Sequence, residues 1–254
     1  YGGVVGRLGA AGVLALSLPV AYVLMLAVLV SQVTGWSTLT CTVVVTAFSA
    51  FYVGLSGFRA VVRTDMLQFG LMYAAFLLLL PFAINRVGGF GVLWSALPTG
   101  HTSWDGGLGW QAVLVWYLLA FQTVVDPAFY QRAFAARSPA VARAGVLVSV
   151  ALWALFDFLT VSSGLAARVL LPDLTDPLAA YPALAAAVLP PVLQSLFLVG
   201  LLATVMSTLD SYLFIAASTL SHDLLPSADP LEERRRTRWG LAIAAALAGI
   251  GALL

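Results

Sequence analysis

The chain has 254 residues, of which 61% are hydrophobic and only 9% charged. A soluble domain carries roughly a quarter charged residues, so an ordinary soluble fold is excluded and a membrane protein is indicated. The net charge of +1 is too small to imply a nucleic-acid partner. Cys41 is the single cysteine, and neither His101 nor His222 has a Cys or Glu at ligand spacing, so no disulfide framework and no metal centre is expected.

Runs of about 20 apolar residues, the length that crosses a bilayer, define seven segments in chain order. They lie at roughly 9–33, 37–57, 65–85, 109–130, 141–168, 190–222 and 239–254. The first follows Arg7 and is too long for a signal peptide. The breakers "TGWS", "GLSG", "NRVGG", "PTGHTSWDGG", "LPDLTDP" and "PSADP" separate the segments. Among the links, "ALPTGHTSWDGGLGW" is polar, glycine-rich and flanked by tryptophan, which places it at a membrane interface. Asp126 and Pro127 interrupt the fourth segment, where proline removes a helical hydrogen bond and frees a carbonyl; one reading is a simple kink with Asp126 paired to a neighbouring helix. In the fifth, Asp157 is expected to be a buried acid that caps a polar network with Thr160, Ser162 and Ser163, the reading preferred over its facing a cavity or pairing with an arginine. The seventh starts at Trp239 and offers about 16 residues, short of a full span. With a first residue that is not methionine, this predicts a piece of a longer protein.

All twelve basic residues are arginine. Assigned to alternating sides, Arg7, Arg59, Arg63, Arg132, Arg137, Arg143, Arg234, Arg235, Arg236 and Arg238 share one side, and Arg86 and Arg168 the other. That asymmetry predicts that the arginine-rich side is cytoplasmic. The absence of lysine beside abundant alanine and leucine suggests a GC-rich bacterial gene, hence a bacterial inner membrane.

The sixth segment, "GLLATVMSTLDSYLFIAASTLSHDLL", carries the chemistry. An aspartate at the centre of a membrane helix costs about 2.5 to 3.5 kcal/mol on insertion scales, so it marks an ion or substrate path. Thr204, Ser207, Thr208 and Ser211 fall at i, i+3, i+4 and i+7, with Ser218 continuing the face, and Asp210 borders this hydroxyl stripe. One reading is a cage for a hard monovalent cation, loaded and released because hydroxyls and carbonyls bind it only moderately. The other is that these hydroxyls bond back to their own helix or join helices together. Asp65 has two readings as well: an ion ligand, or a capping acid at a helix start after Thr64. No segment pairs a nucleophile with a base, so no catalytic residues are expected.

The same stretch closely resembles the eighth core helix of the solute:sodium symporters. "GLSGFRAVVRTDMLQ" is similar to their helix five, and "FYQRAFAARSPAVARAG" to the end of helix six and its link to seven. The resemblance covers nearly the whole chain, as core helices three to nine. It implies an all-α polytopic fold, a five-plus-five inverted-repeat, LeuT-like transporter core truncated at both ends. Helices one and two would precede Tyr1 and helix ten would follow Leu254, so the chain alone is not expected to transport. The resemblance places a sodium site at the carbonyl of Thr204 and the hydroxyls of Ser207 and Thr208. It places a second cation or proton site at Asp65, Asp210 and Ser211, and makes Gln122, Thr123 and Asp126 candidates to face substrate. Trp153 stands where sugar-binding members carry a lysine, which argues against a sugar. The implied function is secondary active symport of a small organic solute, of amino acid, sugar, carboxylate or vitamin class. Na+ is the coupling ion and the lipid bilayer the setting, with no further cofactor. A proton-coupled transporter of the same fold and a membrane sensor module are the alternatives.

Overall fold

The computed structural model describes residues 3–226 and 229–254, without the side chains of residues 55–57, 59, 60 and 230. The expectations resting on Tyr1, on the Arg59 side chain and on Ser227 and Ala228 of the "PSADP" link lie outside the described residues. Among the described residues, five stretches are long and apolar enough to cross a membrane: Val4–Thr34, Val61–Val87, Trp110–Phe134, Pro139–Leu170 and Pro191–Leu224. Thr38–Gly54 and Pro177–Val188 are shorter apolar helices. The protein is therefore multi-pass.

The first apolar run forms two helices, α1 (Val4–Leu16) and α2 (Val20–Thr34). Pro19 has no N–H to give the Ala15 carbonyl, and the Val20 amide turns back to the Leu18 carbonyl at 2.9 Å, so the helix breaks where a single run was expected. Next, α3 (Thr38–Val87) carries the second and third runs through continuous helical backbone, followed by the short α4 (Phe90–Ala96). The fourth run is divided into α5 (Trp110–Ala120), α6 (Gln122–Val125) and α7 (Pro127–Phe134). Then come α8 (Pro139–Leu170), a 3₁₀ turn at Pro177–Ala179, and α9 (Ala180–Val188). The sixth run is α10 (Pro191–Ser218), which ends in a π-helical turn, Thr219–Leu224, and the chain closes with α11 (Pro230–Gly251).

Contacts divide the chain into two units, Tyr1–Leu71 with Leu202–Leu254, and Met72–Leu201. In the first unit, Cys41 and Val45 share an apolar cluster with Val205 and Leu209, while Val53 and Val61 share another with Leu213, Ala216 and Ala217. Farther along α3, Gln68 faces Asp210. A straight helix would put Val45 and Gln68 about 35 Å apart, yet both meet the same two turns of α10. So α3 is not straight but bends between Val53 and Val61, in the stretch that contains "GLSG". The breaker read from sequence acts as a bend inside a helix. Gly54 has a packing reason too: a Cβ there would stand 3.0 Å from the Leu241 side chain of α11.

α11 approaches α10 just as closely. A Cβ on Gly240 would lie 2.9 Å from the Ala217 carbonyl oxygen, and Ala244, Ala245 and Ala248 are buried along the same helix. Small residues are how membrane helices gain contact when hydrophobicity gives no preference between neighbour and lipid. α11 begins nine residues before Trp239. Asp229 accepts a hydrogen bond from the Leu231 amide at 2.9 Å, Pro230 follows it, and Glu232 and Glu233 suit the positive helix end. The π turn is fastened to this polar start: His222 Nδ1 lies 2.5 Å from Glu233 Oε1, and Ser221 bonds Thr237 at 3.0 Å. Arg236 donates to the Leu225 and Pro226 carbonyls at 2.7 and 2.9 Å.

The second unit packs around Phe76. Its ring meets Phe156, Tyr181 and Phe197 edge-on, with centroids at 5.3, 5.2 and 5.4 Å. Polar groups here are bonded to backbone. The Tyr73 hydroxyl donates to the Leu152 carbonyl, Tyr181 to Thr160 at 3.2 Å, and Ser163 to Leu159 at 2.7 Å. Asp157 is exposed, not buried, and the expected side-chain network around it does not form. Thr160 donates instead to the Phe156 and Asp157 carbonyls, the nearest acceptors on its own helix. In the loop before α5, the Asp105 carboxylate accepts from the Gly107 and Gly109 amides at 3.1 and 3.2 Å. The Gly107 bond foremost, then one from the Ser103 side chain, holds this carboxyl below the usual carboxylate range. Gly106, Gly107 and Gly109 supply the positive φ that the turn requires, at 63°, 77° and 85°.

Candidate cation site

On α10, Ser207 Oγ donates to the Thr204 carbonyl at 3.0 Å, Ser211 Oγ to the Ser207 carbonyl at 2.9 Å, and Ser218 Oγ to the Ile215 carbonyl at 3.0 Å. The back-bonding read from sequence is thus realised. It does not compete with cation binding, because a hydroxyl that donates its proton keeps its lone pairs, and each carbonyl retains a second one. Thr204, Ser207 and Thr208 are half-buried, whereas Ser211 and Asp210 are buried.

Asp210 is the centre of the site. It is 0% exposed, and neither carboxylate oxygen accepts a hydrogen bond. Gln68, 8% exposed, faces it from α3 without completing a bond of normal geometry, and its own Oε1 is buried with no donor. Asp65, one turn earlier on the same face of α3, lies within electrostatic range of Asp210. A buried carboxylate with no donor is costly unless a positive charge accompanies it. Asp65 sits deep within α3 rather than at a helix start, and Thr64 donates back to the Val61 carbonyl at 2.9 Å. The capping explanation of Asp65 therefore fails. Sequence reading missed Gln68, although its i+3 spacing from Asp65 was the available signal.

The other candidates belong to the second unit. Asp126 Oδ1 accepts from the Ala128 amide at 2.8 Å, so its carboxylate caps α7 while Pro127 starts that helix. Gln122 and Thr123 are exposed, and among the described residues of Trp110–Phe134 no side chain is buried. Trp153 is exposed and meets Phe156 edge-on at 6.2 Å.

Comparison with known proteins gives a consistent result. The model of the sodium:solute symporter family matches residues 13–250. The chain is 30% identical over 186 residues to the sodium/pantothenate symporter of Haemophilus influenzae, a match over 70% of this chain and 38% of that protein. It is 26% identical over 212 residues to the Escherichia coli sodium/pantothenate symporter, covering 81% and 44%. With the sodium/myo-inositol cotransporter 2 of Oryctolagus cuniculus it shares 29% identity over 220 residues, covering 68% and 32%. The chain thus spans less than half the length of these relatives. Its fold superimposes on a substrate-bound, outward-open Na+-coupled sialic acid symporter with a TM-score of 0.80 at 17% identity, covering 96% of this chain and 58% of that one.

Proposed function

Because the chain belongs to the sodium:solute symporter family, we propose that the full-length protein carries a small organic solute inward, coupled to Na+ by alternating access. The observation that carries this reading is the buried Asp210, with no donor on either oxygen, beside the hydroxyl stripe of a membrane helix. In this reading one Na+ is held by the Thr204 carbonyl and the Ser207 and Thr208 hydroxyls. A second cation is held by Asp65, Asp210 and Ser211. Gln122, Thr123 and Asp126, at the double break of the fourth segment, face the solute. Seven segments cross a bacterial inner membrane with the arginine-rich links in the cytoplasm. Na+ favours the state open to the outside, and its release inside lets the site open inward. Coupling requires that ion and solute affinities differ between the two states.

The test is uptake by the full-length protein in proteoliposomes, with pantothenate, sialic acid and myo-inositol as first solutes and Na+, K+ or choline as driving cation. Saturable uptake that needs Na+ and is lost in Ser207→Ala, Thr208→Ala is expected. Na+ activation unchanged in that variant removes the first site. Uptake driven by a pH gradient without Na+ replaces the reading with proton coupling.

A further inference from the structure

We propose that Gln68 is an oxygen ligand of the cation held at Asp210, and that its amide turns over between the empty and loaded states. The inference rests on the reading above that Asp210 takes a cation, and adds a residue which that reading does not contain. Both oxygens of Asp210 and the Oε1 of Gln68 are buried with no hydrogen-bond donor of normal geometry on any of them, and Gln68 is the side chain that α3 sets against Asp210. Each such acceptor has lost its water without recompense unless a donor or a positive charge meets it. A hard monovalent cation answers that arrangement, since carboxylate and carbonyl oxygens are the ligands it prefers.

Glutamine is the side chain suited to both states. Its Oε1 and Nε2 lie at opposite corners of one planar amide, so a half-turn about the last torsion exchanges acceptor for donor. With Nε2 toward Asp210 the amide hydrogen-bonds the carboxylate and stands in for the missing ion. With Oε1 toward it the amide completes the oxygen shell. A neutral oxygen adds coordination without a further negative charge, so the ion binds yet can leave, as transport demands. The α3 bend brings Gln68 to this place, because a straight α3 could not seat both Val45 and Gln68 against the same turns of α10.

The experiment is a Na+ titration of the full-length purified protein, read by melting temperature with K+ and choline as controls. It is run in the Ser207→Ala, Thr208→Ala background, so that the site at Asp210 reports alone. Gln68→Leu is expected to raise the half-saturating Na+ concentration by about tenfold, the scale of loss when a group that supports a metal site is removed. Its melting temperature without Na+ stays at or above the parental value, because a desolvated amide has gone. Gln68→Glu keeps an oxygen in place and is expected to restore the Na+ response. Should Gln68→Leu not yield folded protein, Gln68→Asn, whose amide falls short of the carboxylate, is expected to weaken Na+ in the same way. If the Gln68 variants titrate like the parent while Asp210→Asn loses the response, the inference on Gln68 fails and the site at Asp210 stands. Equal weakening by leucine and glutamate assigns Gln68 to packing and also overturns the inference. If Asp210→Asn itself leaves the response unchanged, the site and its proposed ligand fall together.

Discussion

In the unit around Phe76, buried hydroxyls find backbone carbonyls: Ser163 reaches Leu159, and Tyr181 reaches Thr160. In the unit that contains Asp210, the oxygens of Ser17, Thr46, Ser49, Tyr52, Gln68 and Asp210 are buried with no hydrogen-bond partner. A buried polar group left unpaired costs about 1 to 3 kcal/mol, more when charged. Among the described residues, the unpartnered buried oxygens thus fall in the unit that contains Asp210, although Ser207, Ser211 and Ser218 there also bond back to their own helix. Of these, the Asp210 oxygens are the ones that the proposed second cation would meet.

Phe76→Ala breaks the comparison from the architectural side. It removes a ring with three edge-on partners, and a loss of about 3 to 5 kcal/mol is expected, read as a large fall in melting temperature with or without Na+. Asp210→Leu sharpens it from the other side. Replacing a buried unpaired charge with an apolar group of the same branched shape is expected to leave stability unchanged or raise it, by up to about 4 kcal/mol, in Na+-free buffer, and in the Ser207→Ala, Thr208→Ala background to abolish the stabilisation by Na+. A fall in stability without Na+ would show that Asp210 is spent on architecture after all. Ser163→Ala should move stability by no more than about 1 kcal/mol and leave Na+ dependence untouched, because its hydroxyl only bonds back to its own helix. The smallest effect belongs to Asp105, in the link between two apolar spans. Its folded pKa is depressed, so the stability it lends is present above the unfolded value and is lost as pH falls through the folded one. Loss of exchange protection, relative to the intrinsic rate at each pH, at the Gly107 and Gly109 amides as pH falls below the usual carboxylate range is the expected readout, and that pH dependence is absent in Asp105→Asn.

Much of this was legible in the sequence because lipid imposes length and polarity rules that a chain cannot evade. The apolar runs, the hydroxyl stripe and the singular Asp210 all follow from them. Gln68 is harder to read because it is an uncharged polar residue marked only by its i+3 spacing from Asp65, and the α3 bend is what brings it to Asp210. That bend was itself hidden, since Gly and Ser announce a break but do not say whether the backbone ladder survives it. Pro19 was passed over inside an apolar run whose hydrophobicity does not change across the break. Asp157 was misplaced for a different reason. In a helix apolar on every side, periodicity does not say which face turns away from its neighbours.

The π turn at Thr219–Leu224 is in effect an extra residue accommodated in α10. It re-phases the helix, so that Ser221 and His222 turn toward α11 instead of prolonging the face of Thr204 to Ser218. The intramembrane half of α10 and its clamp to α11 thus keep separate angular registers, and the two can drift independently over evolutionary time. A single-residue deletion inside the π turn can be absorbed by a return to ordinary α-helical winding, whereas the same deletion between Thr204 and Ser211 would break up the hydroxyl stripe itself.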